Sequence, residues 1–286
     1  MTVDSLITLR EAALGLLTGG AEALNAAGEA GAHDPGLPAA LAAALRELRG
    51  VAVSEDGLRV DYAALAASDA YGRYRAEVAP RLRAFDPGAL EARGARLSFW
   101  ANLYNLLVLD AVVALGVRRS VADRLWGLSF FRRAAYVVGG RRLSLEEIEH
   151  GLLRANAGNP FLPGPQLAPG DPRLAWAVSP VDPRVHFALN CASRSCPPIA
   201  AYDAARAEAQ LGLAARSFVA ADAEVVDGAL RLSAIFDWYR ADFGGYAGVA
   251  RFVAAHLPDD ERQRWLAGRP EVELEFRPYD WGLNRL

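Results

Sequence analysis

The spacing of apolar positions divides the chain into helical stretches separated by short alternating ones. The first thirty residues read as an Ala-rich helix ending in a loop, "GEAGAHDPGLP", after which Pro38 opens a second helix to about Arg49. This predicts a helical N-terminal extension over residues 1–50 ahead of a single domain over 51–286. Three β-hairpins are expected, each a pair of β-favouring runs about a Gly-containing turn. They are "VAVSEDGLRVDY" at Asp56 and Gly57, "YVVGGRRLS" at Gly139 and Gly140, and "VVDGALRLS" at Asp227 and Gly228. "VELEFRPYDW" is a further strand, and the fold class is α+β, helix-rich with a small antiparallel sheet built from short hairpins. One stretch, "AGNPFLPGPQLAPGDP" over residues 157–172, has the Pro and Gly content of a long surface loop, a lid or an insertion.

Three segments carry polar residues that the pattern does not explain. "SFWANLYNLLVLDAVVALG" is apolar nearly all round, which predicts a core helix capped by Ser98 and ended by Gly116. Its amides Asn102 and Asn105 share a face, and a buried amide must be hydrogen-bonded, so they either tie neighbouring backbone together or line a polar site. In "LSLEEIEHGLLR", Ser144 and Glu147 form a capping box, Leu143 and Ile148 are placed as a hydrophobic staple, and a helix begins at Leu145. Leu145, Ile148 and Leu152 make its apolar face; His150 points almost opposite, toward solvent or toward a site. The third segment, "VHFALNCASRSCPPI", reads as a short strand, "VHFAL", that breaks at Asn190. It carries His186 and both cysteines of the chain, Cys191 and Cys196.

Composition narrows the classes. With 52% apolar residues the chain can bury a substantial core, and a formal net charge of −3 gives no electrostatic footprint for nucleic acid or an anionic membrane. Every strongly basic side chain is Arg, so no Schiff-base lysine is available. The N-terminal twenty residues lack the basic n-region of a secretory signal, and the longest apolar run is interrupted by Asp110; a cytoplasmic protein is expected. In that compartment two cysteines are expected as free thiols, metal ligands or catalytic groups ahead of a structural disulfide. No phosphate-cradling or dinucleotide fingerprint and no nucleophile elbow is present, and no cofactor is expected.

A thiol attacks as thiolate, so Cys191 as nucleophile needs an imidazole beside it, and His186 and His150 are the candidate bases. Ser193 and Ser195 are candidate oxyanion donors, and Asp280, Asn102 or Asn105 candidates to orient the base or bind substrate. The alternative is a zinc site of His186, Cys191, Cys196 and His150, with wider gaps than the usual knuckle.

Several segments together resemble the domain of unknown function 547 family, as in a bacterial member. They are "VDYAAL" from Val60, "FWANLYNLLVLD" from Phe99, "VVGGRRLSLEEIEHGLLR" from Val137, "DPRVHFALNCASRSCPPI" from Asp182, "LSAIFDWYRADF" from Leu232 and "YDWGLN" from Tyr279. The resemblance implies that His150, His186 and Cys191 belong to a family pattern, whereas members differ at the position of Cys196. Bacterial relatives often carry a secretion signal, from which this N-terminus departs, and plant relatives look like interaction proteins. The expectation carried forward is a thiol-dependent hydrolase or acyltransferase acting on an amide or thioester of a small molecule or peptide. A papain/transglutaminase-like fold is its analogy; a non-enzymatic binding or scaffolding domain and a zinc-stabilised domain are the alternatives.

Overall fold

The computed structural model describes residues 3–18, 23–267, 269 and 271–286. Part of the expected first helix and loop, residues 1–2 and 19–22, lies outside the described residues.

The centre is the helix Arg93–Ala114, in which every residue from Leu97 to Val112 is buried. Its length and mean hydropathy of 1.5 would suit a membrane span, but 89% of that window is buried inside the fold. It begins five residues before the expected cap: Ser98 lies inside the helix and donates to the carbonyl of Ala95. The earlier start is permitted by Gly94, where a Cβ would stand 2.5 Å from the Ala204 carbonyl oxygen. The C-terminal end is as expected, with Gly116 at φ 63° and the Val117 amide bonded back to Val112. Asp110, which interrupts the apolar run, is buried and accepts from the hydroxyls of Tyr71 and Tyr136 and from Arg75. Helix Leu37–Ala52, expected in an extension, packs Leu37, Leu41, Leu45 and Leu48 into the same core.

Two of the three hairpins form. Strands β1, Ala135–Val138, and β2, Arg141–Ser144, pair antiparallel about Gly139 and Gly140, both at positive φ. Strands β3, Glu224–Val226, and β4, Ala229–Ser233, do the same about Asp227 and Gly228. Strand β5, Leu274–Arg277, joins β4 in parallel, so the second sheet is mixed. At Asp56 and Gly57 only a single bridge, Val53 to Val60, survives. There the Ser54 and Asp56 side chains take the amides of Arg59 and Leu58, and the Val60 amide goes to the Asn284 carbonyl. The fold is α+β and helix-rich.

The expected strand "VHFAL" is a correction. Asp182 accepts from the Arg184 amide, and Pro183 occupies the first turn of a 3₁₀ helix, Pro183–Phe187. This Asp-Pro start signal overrides the alternation that follows it. The helix spans two apolar cores: Val185 packs into the one around the central helix, and Phe187 into a second formed by β4 and helices Ala207–Asp222 and Tyr246–His256. His186 sits at their junction.

Candidate functional site

The Ser144–Glu147 capping box forms in both directions, the Glu147 amide donating to Ser144 Oγ and the Ser144 amide to Glu147 Oε2. From Glu147 to Leu153 the backbone is a π-helix rather than an α-helix, buried at Ile148, His150, Gly151, Leu152 and Leu153. His150 is only 6% exposed, so the solvated reading is excluded: it turns off the apolar face into a pocket.

Guanidinium groups only donate, so the 3.0 Å contact of Arg154 Nη1 with His150 Nδ1 makes that nitrogen an acceptor and places the imidazole proton on Nε2. Burial, with Arg154 and His186 reinforcing it against Glu149 and Asp242, lowers His150 from 6.5 to about 4. His186 is the mirror case. Its Nε2 lies 2.9 Å from Asp242 Oδ2, an acceptor, so Nε2 carries the proton and Nδ1 is bare, without a hydrogen-bond partner among the described residues. Burial lowers its pKa, with the Asp242 hydrogen bond opposing and Arg154 assisting. Tyr239 stacks on the ring at 3.9 Å.

Asp242 also receives Arg154 Nε at 2.6 Å and Nη2 at 3.0 Å, a bidentate pair buried on both sides. Burial works against its ionisation, but the hydrogen bonds from His186 and Arg154 hold its carboxyl well below the usual range. Glu149 is capped by the hydroxyls of Tyr239 at 2.6 Å and Tyr104 at 3.0 Å. Burial opposes its charge too, yet His150, the Tyr239 bond, His186 and Arg154 bring its pKa down. At neutral pH the cluster therefore holds two neutral imidazoles, two carboxylates and one guanidinium.

The cysteine loop is built by amides. Asn105 reaches from the central helix to accept from the Asn190 amide at 3.0 Å and to donate to the Ala188 carbonyl at 3.0 Å. Asn102 makes the same two-way clamp on Tyr202. Both tie backbone, and Asn105 positions the segment that ends in Cys191. Asn190 Oδ1 then accepts from the Ala192 amide, and Ala192 takes positive φ, which curls the loop. In the curl Cys191 and Cys196 face each other at a Cα separation of 6.2 Å and their sulfurs are bonded. The expectation of free thiols, metal ligands or catalytic groups ahead of a disulfide is corrected: it rested on compartment, whereas the curled loop brings the two Cα atoms within the reach of a disulfide. Ser193 Oγ lies 2.7 Å from Cys191 Sγ, and the Tyr279 hydroxyl lies 3.3 Å from it and 3.1 Å from Cys196 Sγ. Ser195 is spent on the Asp280 amide, and Asp280 is exposed, accepting from the Gly282 amide and facing Arg194.

One cavity of about 120 Å³ is lined by His150, His186, Cys191 and Cys196 together. Asn102, Asn105, Ser193, Ser195 and Asp280 do not line it. No hydrogen bond joins Cys191 to either imidazole among the described residues. Nor do three or more His, Cys, Asp or Glu side chains there form a group that could hold a metal, and the four residues of the zinc alternative have two sulfurs bonded to each other. Sequence reasoning did not single out Glu149, Arg154, Tyr239 and Asp242. Glu149 precedes His150 in the helix and Arg154 caps its C-terminal end, and the i, i+4 spacing of His150 and Arg154 was a readable signal. Asp242 had none, since its partners are 88 and 56 residues away.

Residues 80–219 match the model of a family described as a protein of unknown function, DUF547. The chain carries a DUF547 domain. The match takes in His150, Arg154, His186 and both cysteines, while Tyr239, Asp242 and Tyr279 of the same cluster lie beyond it. Comparison with curated proteins found no match, and comparison with solved structures found none. For the DUF547 domain of this chain, function is therefore read from the site itself.

Proposed function

We propose that this DUF547 protein is a thiol-dependent hydrolase or acyltransferase acting on an amide or thioester, with reduced Cys191 as nucleophile and His186 as base. The observation that carries the reading is the pairing of His186 Nε2 with Asp242, which leaves Nδ1 free to take a proton on a ring that lines the same pocket as Cys191. Asp242 acts as a positioning residue, and His150, protonated on Nε2 only, supplies a hydrogen-bond donor for the carbonyl oxygen.

In this scheme two equivalents of an external thiol reduce the Cys191–Cys196 disulfide and leave as their own disulfide. The Cys191 proton passes to His186 Nδ1 as the sulfur bonds to the substrate carbonyl carbon. Cleavage of the C–N or C–S bond returns that proton to the leaving group, and water or another acceptor takes the acyl group.

The test is the pH dependence of iodoacetamide alkylation at Cys191 and Cys196, followed separately by peptide mass spectrometry after phosphine reduction. The expected result is a Cys191 apparent pKa well below 8.5 that rises in His186→Ala. A Cys191 inert after reduction would sink the reading and favour the scaffolding alternative, for which the saturated pairing of Arg154, Asp242 and Glu149 speaks.

A further inference from the structure

The chemistry left free inside the pocket is sparse. Glu149 is capped by two tyrosine hydroxyls, Glu146 is held by Arg132 at 3.0 Å and Asn159 at 3.4 Å, and the outer nitrogens of the imidazoles are engaged as described. Of the imidazole nitrogens, one acceptor, His186 Nδ1, and one donor, His150 Nε2, are left, which suit a single reacting carbonyl. Among the described residues no arginine lines the cavity. Its walls are apolar and aromatic: Phe131, Phe161, Ile235, Trp238 and Trp281. Phe161 comes from the Pro- and Gly-rich loop, is 63% exposed, and meets Trp238 edge to face at 5.6 Å, at the outer end of the wall. That loop is anchored by Arg154 Nη1 on the Gly158 carbonyl at 2.5 Å, the same guanidinium that pairs with Asp242.

We infer that the substrate's acyl part is uncharged and apolar, seated against Phe131, Phe161 and Trp238, and that acyl groups bearing a carboxylate or phosphate are refused. The inference rests on the thiol reading of the same site. Two features act together. An anion entering the pocket meets ionised Glu149 and no guanidinium free to pair with it, and the largely apolar wall offers it no compensating charge for the water it loses. An alkyl chain loses nothing there and gains with each methylene it buries.

The experiment uses the full chain after phosphine reduction. Alkylation of Cys191 by iodoacetamide and by iodoacetate is measured, each divided by the rate with glutathione, alongside turnover of p-nitrophenyl acetate, butyrate and hemisuccinate. The expected result is iodoacetate slowed by about 10-fold relative to iodoacetamide, with butyrate preferred over acetate by about 10-fold and hemisuccinate not turned over. Phe161→Ala and Trp238→Ala should erase the butyrate preference. Equal corrected rates for the two alkylating agents would overturn the inference even if esters are hydrolysed. A selective Cys191 with no turnover of any ester would instead overturn the hydrolase reading and the acyl assignment with it. A Cys191 that ignores both reagents overturns both.

Discussion

Asp242 holds two partners that nothing else in the cluster can satisfy together. Asp242→Asn should remove the carboxylate that pairs bidentately with the buried Arg154 and cost about 3 to 5 kcal/mol, read by denaturant unfolding. It should also slow Cys191 alkylation in the folded, reduced protein by about 10²-fold and move its pH profile upward, which a purely structural role would not do. His150 predicts a pH dependence of stability. Its folded pKa of about 4 lies below the unfolded 6.5, so the native state binds fewer protons. That contribution is full above pH 6.5 and falls away toward pH 4, by about 3 kcal/mol. His186, also lowered, acts in the same direction over this range, and Asp242 adds to it only below about pH 4. Melting temperatures between pH 4 and 7 should show the slope, and His150→Gln should flatten it.

At the scale of elements, the central helix is the scaffold of the cysteine loop, and Asn105 is the point of contact. Asn105→Ala strands the buried Asn190 amide and Ala188 carbonyl, at about 1 to 3 kcal/mol for each group left unpaired. Hydrogen exchange at the Asn190 amide should speed up in this variant while the β1–β2 hairpin stays protected. What was legible in the sequence follows the same division. The core helix, the capping box and two hairpins were readable because each is set by local chemistry: a fully apolar face, a Ser–x–x–Glu spacing, turns with two positive-φ residues. The third hairpin was not, because Ser54 and Asp56 compete with the ladder for its amides. The strand at His186 was misread because alternation over five residues is weaker than an Asp-Pro helix start. His150 and Cys191 were identified from their type and setting, but Asp242 and Tyr239 come from another element, and periodicity carries no information about such a meeting.

For the whole molecule, the site lies where two cores meet, with Val185 in one, Phe187 in the other and His186 between them. Phe187→Ala should cost about 3 to 5 kcal/mol and should also lower Cys191 reactivity, although Phe187 touches no sulfur, because it seats the helix that carries His186. The Cys191–Cys196 bond closes a loop with a sequence separation of 5, so reducing it should cost only about 2 kcal/mol by chain entropy, and the reduced protein should stay folded. Cys196→Ser should then make Cys191 alkylatable without reductant, which mass spectrometry of untreated protein would show. The family match ends at residue 219, yet Asp242 and Tyr239, which orient His186, come from the unit that follows. An expression fragment trimmed to the matched stretch would retain the nucleophile and both imidazoles but strand Arg154 without the carboxylate it pairs with, so its inactivity would report where the cut fell rather than what the protein does.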